Sequence, residues 1–206
     1  MSDKINRTIV YVDGFNLYFG MMESGFSNCR WLDIRKMIET SLSANQQLIC
    51  IKYFTSRVTN NPAKQKRQNT YLEALEVSGI NIIYGLYKAK VIDCMNCGHS
   101  WQIANEKMTD VNIATHLITD AFTDKYDTAI LISGDSDLVP PIKAVHQYFN
   151  QKNVSVFFPP ERHNNTVANA AKGSMILGRK KLSSNQFADE VTKEDGYILR
   201  RPKEWD

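Results

Sequence analysis

Aspartates that directly follow apolar segments are the residues of this chain best placed to do chemistry. Asp13 follows the apolar segment 9–12, and Asp135 and Asp137 follow the apolar segment 129–132. Carboxylates held close together repel one another unless a cation or a proton lies between them. A hard cation such as Mg²⁺ or Mn²⁺ prefers oxygen ligands and usually contacts a substrate phosphate as well. These aspartates therefore indicate metal-assisted chemistry on phosphate esters.

The elements around these aspartates favour a parallel sheet. Apolar strand patterns alternate with helical patterns along the chain, which is typical of an α/β domain with helices on both faces of the sheet. The carboxyl ends of parallel strands lie at one edge, where ligands bind. We therefore expect Asp13, Asp135 and Asp137 to meet at that edge.

The periodicity of apolar residues places the individual elements. About five strands are predicted, over residues 9–12, 48–54, 80–84, 128–132 and 154–158. Helices are predicted over residues 15–22, 31–38, 62–77, 110–122, 138–148 and 166–171. Residues 1–178 are predicted to form one domain with a hairpin and cysteine loop inserted near 86–104, and residues 179–206 a docked or partly flexible C-terminal extension.

The composition is that of an ordinary globular protein and sets broad limits. The 206 residues are 43% hydrophobic and 23% charged, and the net charge of +3 permits nucleic-acid binding without requiring it. No segment approaches the ~18 apolar residues that a membrane-spanning helix needs, and the first residues lack a signal-peptide pattern. We therefore expect no membrane partner, a cytoplasmic location and reduced cysteines.

Three further polar residues lie close to the predicted acidic edge. Asp110 begins the helix 110–122, and a helix packed between the first and fourth strands would start at the same edge as Asp13. Alone, such an aspartate is typical of a helix cap. Lys107 precedes it and could contact a phosphate or remain a solvated surface lysine. Asn16, three positions after Asp13, could cap a helix or contact a ligand.

Three segments of the chain resemble the signature segments of the NYN domain. They are YVDGFN at 11–16, EKMTDV at 106–111 and SGDSDL at 133–138. More narrowly, the chain resembles LabA-like proteins within the PIN-like nuclease superfamily, over roughly residues 8–177. The C-terminal residues 195–205 are also similar to the end of some LabA-like chains.

The resemblance implies an α/β fold, a PIN-like three-layer sandwich with a central, mostly parallel sheet between helices. It also implies an acidic pocket that holds Mg²⁺ or Mn²⁺ for RNA cleavage. By position, Asp13, Asp110, Asp135 and Asp137 become the catalytic, metal-binding carboxylates, and Asn16 a neighbouring contact to ligand or phosphate. A bound cation would activate water and neutralise charge on the phosphoryl oxygens.

Basic residues near the predicted edge suggest a path for single-stranded or structured RNA, because Lys and Arg bind phosphates. The predicted substrate-binding residues are Asn16, Arg57, Lys64, Arg67, Lys107 and Arg162. The alternative for the basic residues is an ordinary solvated surface. Bases of single-stranded RNA also stack on aromatic side chains. The aromatic candidates are Phe15, Tyr18, Phe19 and Tyr71, but aromatics at such spacing are more often core residues, so they are left out of the predicted site.

Cys94 and Cys97 have the spacing of half a zinc-binding motif. A structural zinc site requires four ligands, and the chain has no second Cys-X-X-Cys pair. His99 could supply a third ligand, and two copies of the chain could complete one site as a homo-oligomer. The alternative is a pair of free thiols.

Three readings of the acidic residues compete. The first is a metal-dependent endoribonuclease, and the second is a non-catalytic RNA-binding or regulatory module that retains the acidic pocket. The third is a HAD-type phosphatase, which needs a second aspartate two positions after the first. Phe15 stands there instead, which argues against that class. A dinucleotide-binding enzyme is disfavoured because no Gly-X-Gly-X-X-Gly follows a strand.

Overall fold

A computed structural model describes residues 5–59, 61–93 and 95–205. The strands are β1 (Asn6–Asp13), β2 (Gln46–Thr55), β3 (Asn81–Tyr84), β4 (Leu86–Asp93), β5 (Ser100–Lys107), β6 (Thr128–Ile132), β7 (Asn153–Phe158), β8 (Gly173–Ile176), β9 (Glu190–Thr192) and β10 (Ile198–Arg200). The α-helices are α1 (Gly14–Glu23), α2 (Ile34–Glu39), α3 (Pro62–Val77), α4 (Thr109–Phe122), α5 (Val139–Tyr148), α6 (Asn165–Ala170) and α7 (Arg179–Ser183). In the described ranges, no helix combines the length and apolar character needed to cross a bilayer.

The central sheet has six strands in the order β3-β2-β1-β6-β7-β8, and every neighbouring pair is parallel. From β1 the chain adds strands on one side and later, beginning with β6, on the other. Val12 of β1 therefore lies opposite Ile132 of β6 at the point where the strand order reverses. Ligands of open α/β sheets bind outside the carboxyl ends of strands at such a point.

Helices cover both faces of the sheet, which confirms the predicted three-layer α/β architecture. Side chains of β1 alternate between two buried clusters, because successive residues of a strand point to opposite faces. Val10 and Val12 pack in the cluster that contains residues of α1, α2 and α3. Ile9 and Tyr11 pack in the cluster that contains residues of α4, α5 and α6. The central strand is therefore buried on both faces.

A buried polar network fixes α4 against β1 and β2. The hydroxyl of Tyr11 donates to Asp120 Oδ2 at 2.8 Å, and the ammonium group of Lys52 pairs with the same oxygen. Lys125 Nζ lies 3.2 Å from Asp120 Oδ1. A buried carboxylate is tolerated only with such partners. Because Asp120 belongs to α4, these bonds also fix the position of the residues at the start of that helix.

The sixth strand, β8, was not predicted from the sequence. Its four residues, Gly173–Ile176, pair with β7 at the edge of the sheet. A four-residue segment that includes glycine and serine gives little strand signal on its own. The predicted strand and helix boundaries elsewhere lie within a few residues of the observed ones. The residues after 85 form the predicted hairpin, in which β4 and β5 pair antiparallel as a separate two-stranded sheet.

The C-terminal residues pack against the α1–α3 face of the sheet. Trp205, only 6% exposed, contacts the rings of Trp31 and Tyr71. The indole N–H of Trp31 donates to the carbonyl of Ala188 at 2.8 Å. The residues after 178 thus complete one of the two hydrophobic clusters.

An ion pair joins the start of β1 to the loop before β6. Arg7 contacts both carboxylate oxygens of Asp127 at 3.0 Å, and its backbone N–H donates to Oδ2 at 2.9 Å. Hydrogen bonding to Arg7 is the largest of the effects that lower the pKa of Asp127 to about 2. Because the folded pKa is depressed, the pair stabilises the fold fully above the unfolded pKa of ~3.9 and loses this contribution as pH falls towards 2.

Asp127→Asn should lower the free energy of unfolding by about 2 kcal/mol at pH 7. The difference from wild type should shrink between pH 4 and pH 2, because the wild-type carboxylate becomes protonated there. Urea denaturation at several pH values measures this. The control is Asp189→Asn, since Asp189 is 84% exposed and lies 3.7 Å from Arg201. A difference for Asp127→Asn that stays constant down to pH 2 would contradict the assignment.

Candidate acidic active site

An open cleft of about 320 Å³ lies at the carboxyl ends of the central strands β1 and β6. Three carboxylates line it: Asp13 ends β1, Asp110 belongs to the first turn of α4, and Asp135 follows β6. The other lining residues are Phe15, Asn16, Phe19, Met108, Thr109 and Arg162. The strand order explains why aspartates so distant in sequence converge.

Asp13 is buried, and both of its carboxylate oxygens accept hydrogen bonds. Its Oδ1 accepts from the backbone N–H of Asn16 at 3.0 Å, and so Asp13 caps α1. Its Oδ2 accepts from the hydroxyl of Ser133 at 3.0 Å. The two interpretations of Asp13, a helix cap and a site residue, are therefore compatible, because the same carboxylate caps a helix and lines the cleft.

Asn16 and Gly134 join the start of α1 to the loop after β6. The side-chain oxygen of Asn16 accepts from the backbone N–H of Gly134 at 3.0 Å. A Cβ added to Gly134 would lie 1.8 Å from the carbonyl oxygen of Arg162. Such an approach is open only to glycine, so the start of α1 and the loops after β6 and β7 form one tightly packed rim.

Asp135 and Asp137 have different surroundings, although they are two residues apart. Asp135 lines the cleft, and its Oδ1 accepts from the backbone N–H of Asp137 at 2.9 Å, which caps the short 3-10 helix Ser136–Leu138. Asp137 is exposed and does not line the cleft. Its negative charge nevertheless acts on the cleft, because it raises the pKa of the lining residue Asp110.

The acidic surroundings of the cleft change the pKa of Asp110. Burial raises its pKa, and the negative charges of Asp135 and Asp137 raise it further. A hydrogen bond from its own backbone N–H opposes part of this effect. The carboxylates therefore interact repulsively, and the cleft favours a cation or a proton near Asp110.

The residue before α4 has a rare backbone conformation. Met108 has a φ of 78°, in the left-handed region, and its side chain is 48% exposed. This conformation costs a non-glycine residue about 1 kcal/mol and is concentrated at functional sites. The Met108 side chain forms no cap, so the start of α4 presents backbone N–H groups beside Asp110.

The oxygen-rich residues fit a hard cation that keeps part of its water shell. In the described ranges, no three His, Cys, Asp or Glu side chains form a group that could hold a metal ion. Mg²⁺, however, is usually bound through one or two carboxylates together with waters and a substrate phosphate. Asp110 and Asp135 meet that smaller requirement, with Asp13 beside them.

Arg162 is the basic residue that lines the cleft. Its Nη2 lies 2.5 Å from Glu23 Oε1, so an ion pair to α1 holds the guanidinium group. Its Nε is buried and has no hydrogen-bond partner among the residues that the structure describes. The predicted substrate-binding residue Arg162 therefore lies in the same cleft as the three carboxylates.

The other predicted basic residues lie outside the cleft. Arg57 follows β2 at the same edge of the sheet, where its guanidinium group lies 4.6 Å from the centre of the Tyr84 ring. Lys64 is exposed in the first turn of α3, and Arg67 pairs with Glu204 at 2.9 Å. Lys107 ends β5, but its side chain lies outside the part that the structure describes.

The proposed zinc ligands are only partly covered by the structure. Cys94 lies outside the described residues, and Cys97 is an exposed free thiol. Zinc binding therefore stays a prediction.

Four lining residues were absent from the predicted site. They are Phe15, Phe19, Met108 and Thr109. Phe15 and Phe19 are four residues apart on the helix that begins directly after Asp13, which was a usable signal. The left-handed backbone at Met108 leaves no comparable trace in the sequence.

Comparison with known proteins identifies the family. The NYN domain model matches residues 7–177. The chain belongs to the NYN domain family. This confirms the resemblance seen in the three sequence segments and places this NYN protein in the PIN-like nuclease superfamily; its LabA-like subdivision stays a prediction.

Two individual proteins are similar to this NYN domain. The 6-hydroxy-3-succinoylpyridine 3-monooxygenase HspA of Pseudomonas putida is 26% identical over an alignment of 197 residues, and the match covers 78% of this chain and 62% of that protein. The chain thus spans less than two thirds of that relative. The crystal structure of a protein of unknown function from Vibrio parahaemolyticus matches with a TM-score of 0.59 and 22% identity, over 86% of this chain and 96% of that one. This likeness supports the fold alone.

Proposed function

We propose that this NYN domain is a divalent-metal-dependent ribonuclease that hydrolyses RNA phosphodiester bonds. The observation that carries the proposal is the convergence of Asp13, Asp110 and Asp135, from three separate segments, on one cleft. Membership of a nuclease superfamily supports it. The name of the Pseudomonas putida relative describes a different chemistry, and therefore cleavage has to be measured directly.

The three carboxylates of the cleft have different parts in the proposed mechanism. Asp110 and Asp135 would hold Mg²⁺ or Mn²⁺, which when bound supplies an activated water and neutralises charge on the phosphoryl oxygens. Asp110 gains most from a cation, because burial and its acidic neighbours destabilise its charged form. Asp13, whose two carboxylate oxygens accept hydrogen bonds from Asn16 and Ser133, would orient water in the cleft.

Two further residues would hold the substrate. Arg162 lines the cleft and is held by its ion pair, so it would contact the phosphate without losing much conformational freedom. Asn16 would act by holding Gly134 and with it the backbone that positions Asp135. Arg57 lies farther along the same edge of the sheet and would contact RNA beyond the cleft. Asp137 adds negative charge that acts on Asp110.

The test is cleavage of a panel of labelled single-stranded and hairpin RNAs by wild type and Asp135→Asn. Wild type should cleave with Mn²⁺ or Mg²⁺, lose the activity in EDTA and regain it when excess Mn²⁺ is added. Asp135→Asn should cleave about a thousandfold more slowly than wild type at every metal concentration. Equal cleavage by both preparations would indicate a contaminating nuclease and remove the proposal.

The same experiment separates the enzyme from a binding module. RNA retention by wild type, measured by fluorescence anisotropy, without cleavage at any metal concentration would favour the non-catalytic RNA-binding alternative. Neither cleavage nor binding would overturn both.

A further inference from the structure

Three aromatic side chains of α1, of which Phe19 is exposed and Phe15 and Tyr18 are half-buried, lie together at the acidic cleft. Phe15 and Phe19 both line the cleft, with ring centres 6.0 Å apart and planes inclined by 20°. Tyr18 contacts Phe19 edge-on at 5.3 Å. Phe19 is held by these two contacts, yet 47% of it remains exposed. We call these three residues the aromatic shelf.

The position of the aromatic shelf is fixed by close backbone packing. A Cβ added to Gly20 would lie 2.6 Å from the carbonyl oxygen of Pro160 and 3.2 Å from Arg162 Cγ. Helix α1 is therefore pressed against the segment that carries Arg162, and the Arg162–Glu23 ion pair joins the same two elements. The shelf and the guanidinium group are thus neighbours on one rigid rim.

The surroundings of the shelf match the chemistry of one nucleotide. A planar apolar surface suits the face of a base, a guanidinium group suits a phosphate, and the carboxylates suit the cation that accompanies the phosphate. Met108, another cleft residue, adds a second exposed apolar side chain, 48% exposed. Exposed apolar side chains grouped at a cleft are unusual for a surface that contacts only water.

We propose that the aromatic shelf binds the unpaired base adjacent to the scissile phosphate, with Phe19 as the stacking residue. The inference rests on the proposed ribonuclease function and adds that the substrate is single-stranded at the site. Base faces inside a duplex are covered by neighbouring bases, so a paired base cannot stack on Phe19. Because every base has such a face, the shelf would favour single-stranded over double-stranded RNA without favouring a particular sequence.

The test measures RNA binding separately from cleavage. The Asp135→Asn variant serves as the parent protein, because it should bind RNA without cleaving it rapidly. Fluorescence anisotropy measures its affinity for a labelled twelve-residue oligouridylate and for a blunt duplex. It also measures the affinity for a series of oligouridylates that each carry one abasic position, at a different place in each. Phe19→Leu should weaken oligouridylate binding about tenfold, since a leucine keeps the apolar volume but loses the stacking face. Phe19→Tyr should bind like the parent. Phe122→Leu, at an aromatic that is 76% exposed and does not line the cleft, is the matched control.

The abasic oligomers give the decisive comparison. One abasic position should weaken binding to the parent about tenfold and should have no further effect on Phe19→Leu, because the base and the ring lose the same contact. Additive losses, equal binding by Phe19→Leu and the parent, or no RNA binding by the parent would each overturn the inference.

These outcomes are distinct from failure of the proposed function. If wild type cleaves RNA but Phe19→Leu binds normally, only the shelf assignment fails. The converse result is that wild type never cleaves, while the losses of binding caused by an abasic position and by Phe19→Leu are non-additive. In that case the shelf binds a base, and the proposed catalysis fails.

Discussion

Asp135→Asn is expected to lower the rate of metal-dependent RNA cleavage by about a thousandfold, which corresponds to about 4 kcal/mol of lost charge stabilisation. The fold should survive, because Asn caps a helix about as well as Asp and its side-chain oxygen can still accept from the backbone N–H of Asp137. The variant removes one negative charge from the cleft and little else. Single-turnover cleavage at saturating Mn²⁺, with a thermal unfolding scan, measures both effects.

Asp33→Asn is the matched control for this substitution. Asp33 caps α2 through the backbone N–H of Lys36 at 3.0 Å, in the same way that Asp135 caps its 3-10 helix, but it lies outside the cleft. The Asp33→Asn variant should cleave RNA at the wild-type rate. If both variants keep wild-type activity, Asp135 has no place in the chemistry. If both lose it, the effect comes from helix capping and not from the acidic site.

Gly134→Ala is expected to have the largest effect on the architecture of the cleft. The new Cβ would lie 1.8 Å from the carbonyl oxygen of Arg162 and 2.9 Å from its carbonyl carbon, and neither atom can move without its backbone. The loops must therefore separate, which should cost about 3 kcal/mol of unfolding free energy. The bond between Asn16 and the Gly134 N–H should be lost as well, and with it most of the cleavage.

Gly178→Ala tests whether this result is specific. No heavy atom within the described residues lies within 4 Å of a Cβ built at Gly178, and its φ of −77° is open to alanine. Guanidinium denaturation should show a change below about 1 kcal/mol for this control. A Gly134→Ala protein as stable as the control would mean that the two loops can part freely, contrary to the packing seen here.

The convergence of the aspartates was predictable because it depends on a rule of topology. Parallel strands end at one edge, so apolar segments that end in Asp13 and Asp135 had to bring these residues close once they were neighbours. The position of Asp110 was harder to predict, because it depends on which strands α4 packs against. The buried contacts of Asp120 with Tyr11 and Lys52 place α4 against β1 and β2. The spacing of these three residues in the sequence does not predict those contacts.

Other features depend on contacts between distant parts of the chain and left little trace in the sequence. The sequence could not tell which of Asp135 and Asp137 faces the cleft, since only Ser136 stands between them. Arg67 read as a free basic residue because its partner, Glu204, lies 137 positions away. The exposure of Phe19, which distinguishes it from a core aromatic, likewise emerges only when α1 is packed.

The seam between β1 and β6 has a consequence for how the protein is made. Ser133 and Asp13 are 120 positions apart, so one edge of the central strand stays unpaired until that stretch has been synthesised. Such long-range parallel pairing is slow, and the waiting edge is prone to aggregation. A ligand bound across the seam recognises only the finished sheet and so draws the two halves of the sheet together by mass action. The acidic cleft of the nascent chain can therefore form only after β6 has paired with β1.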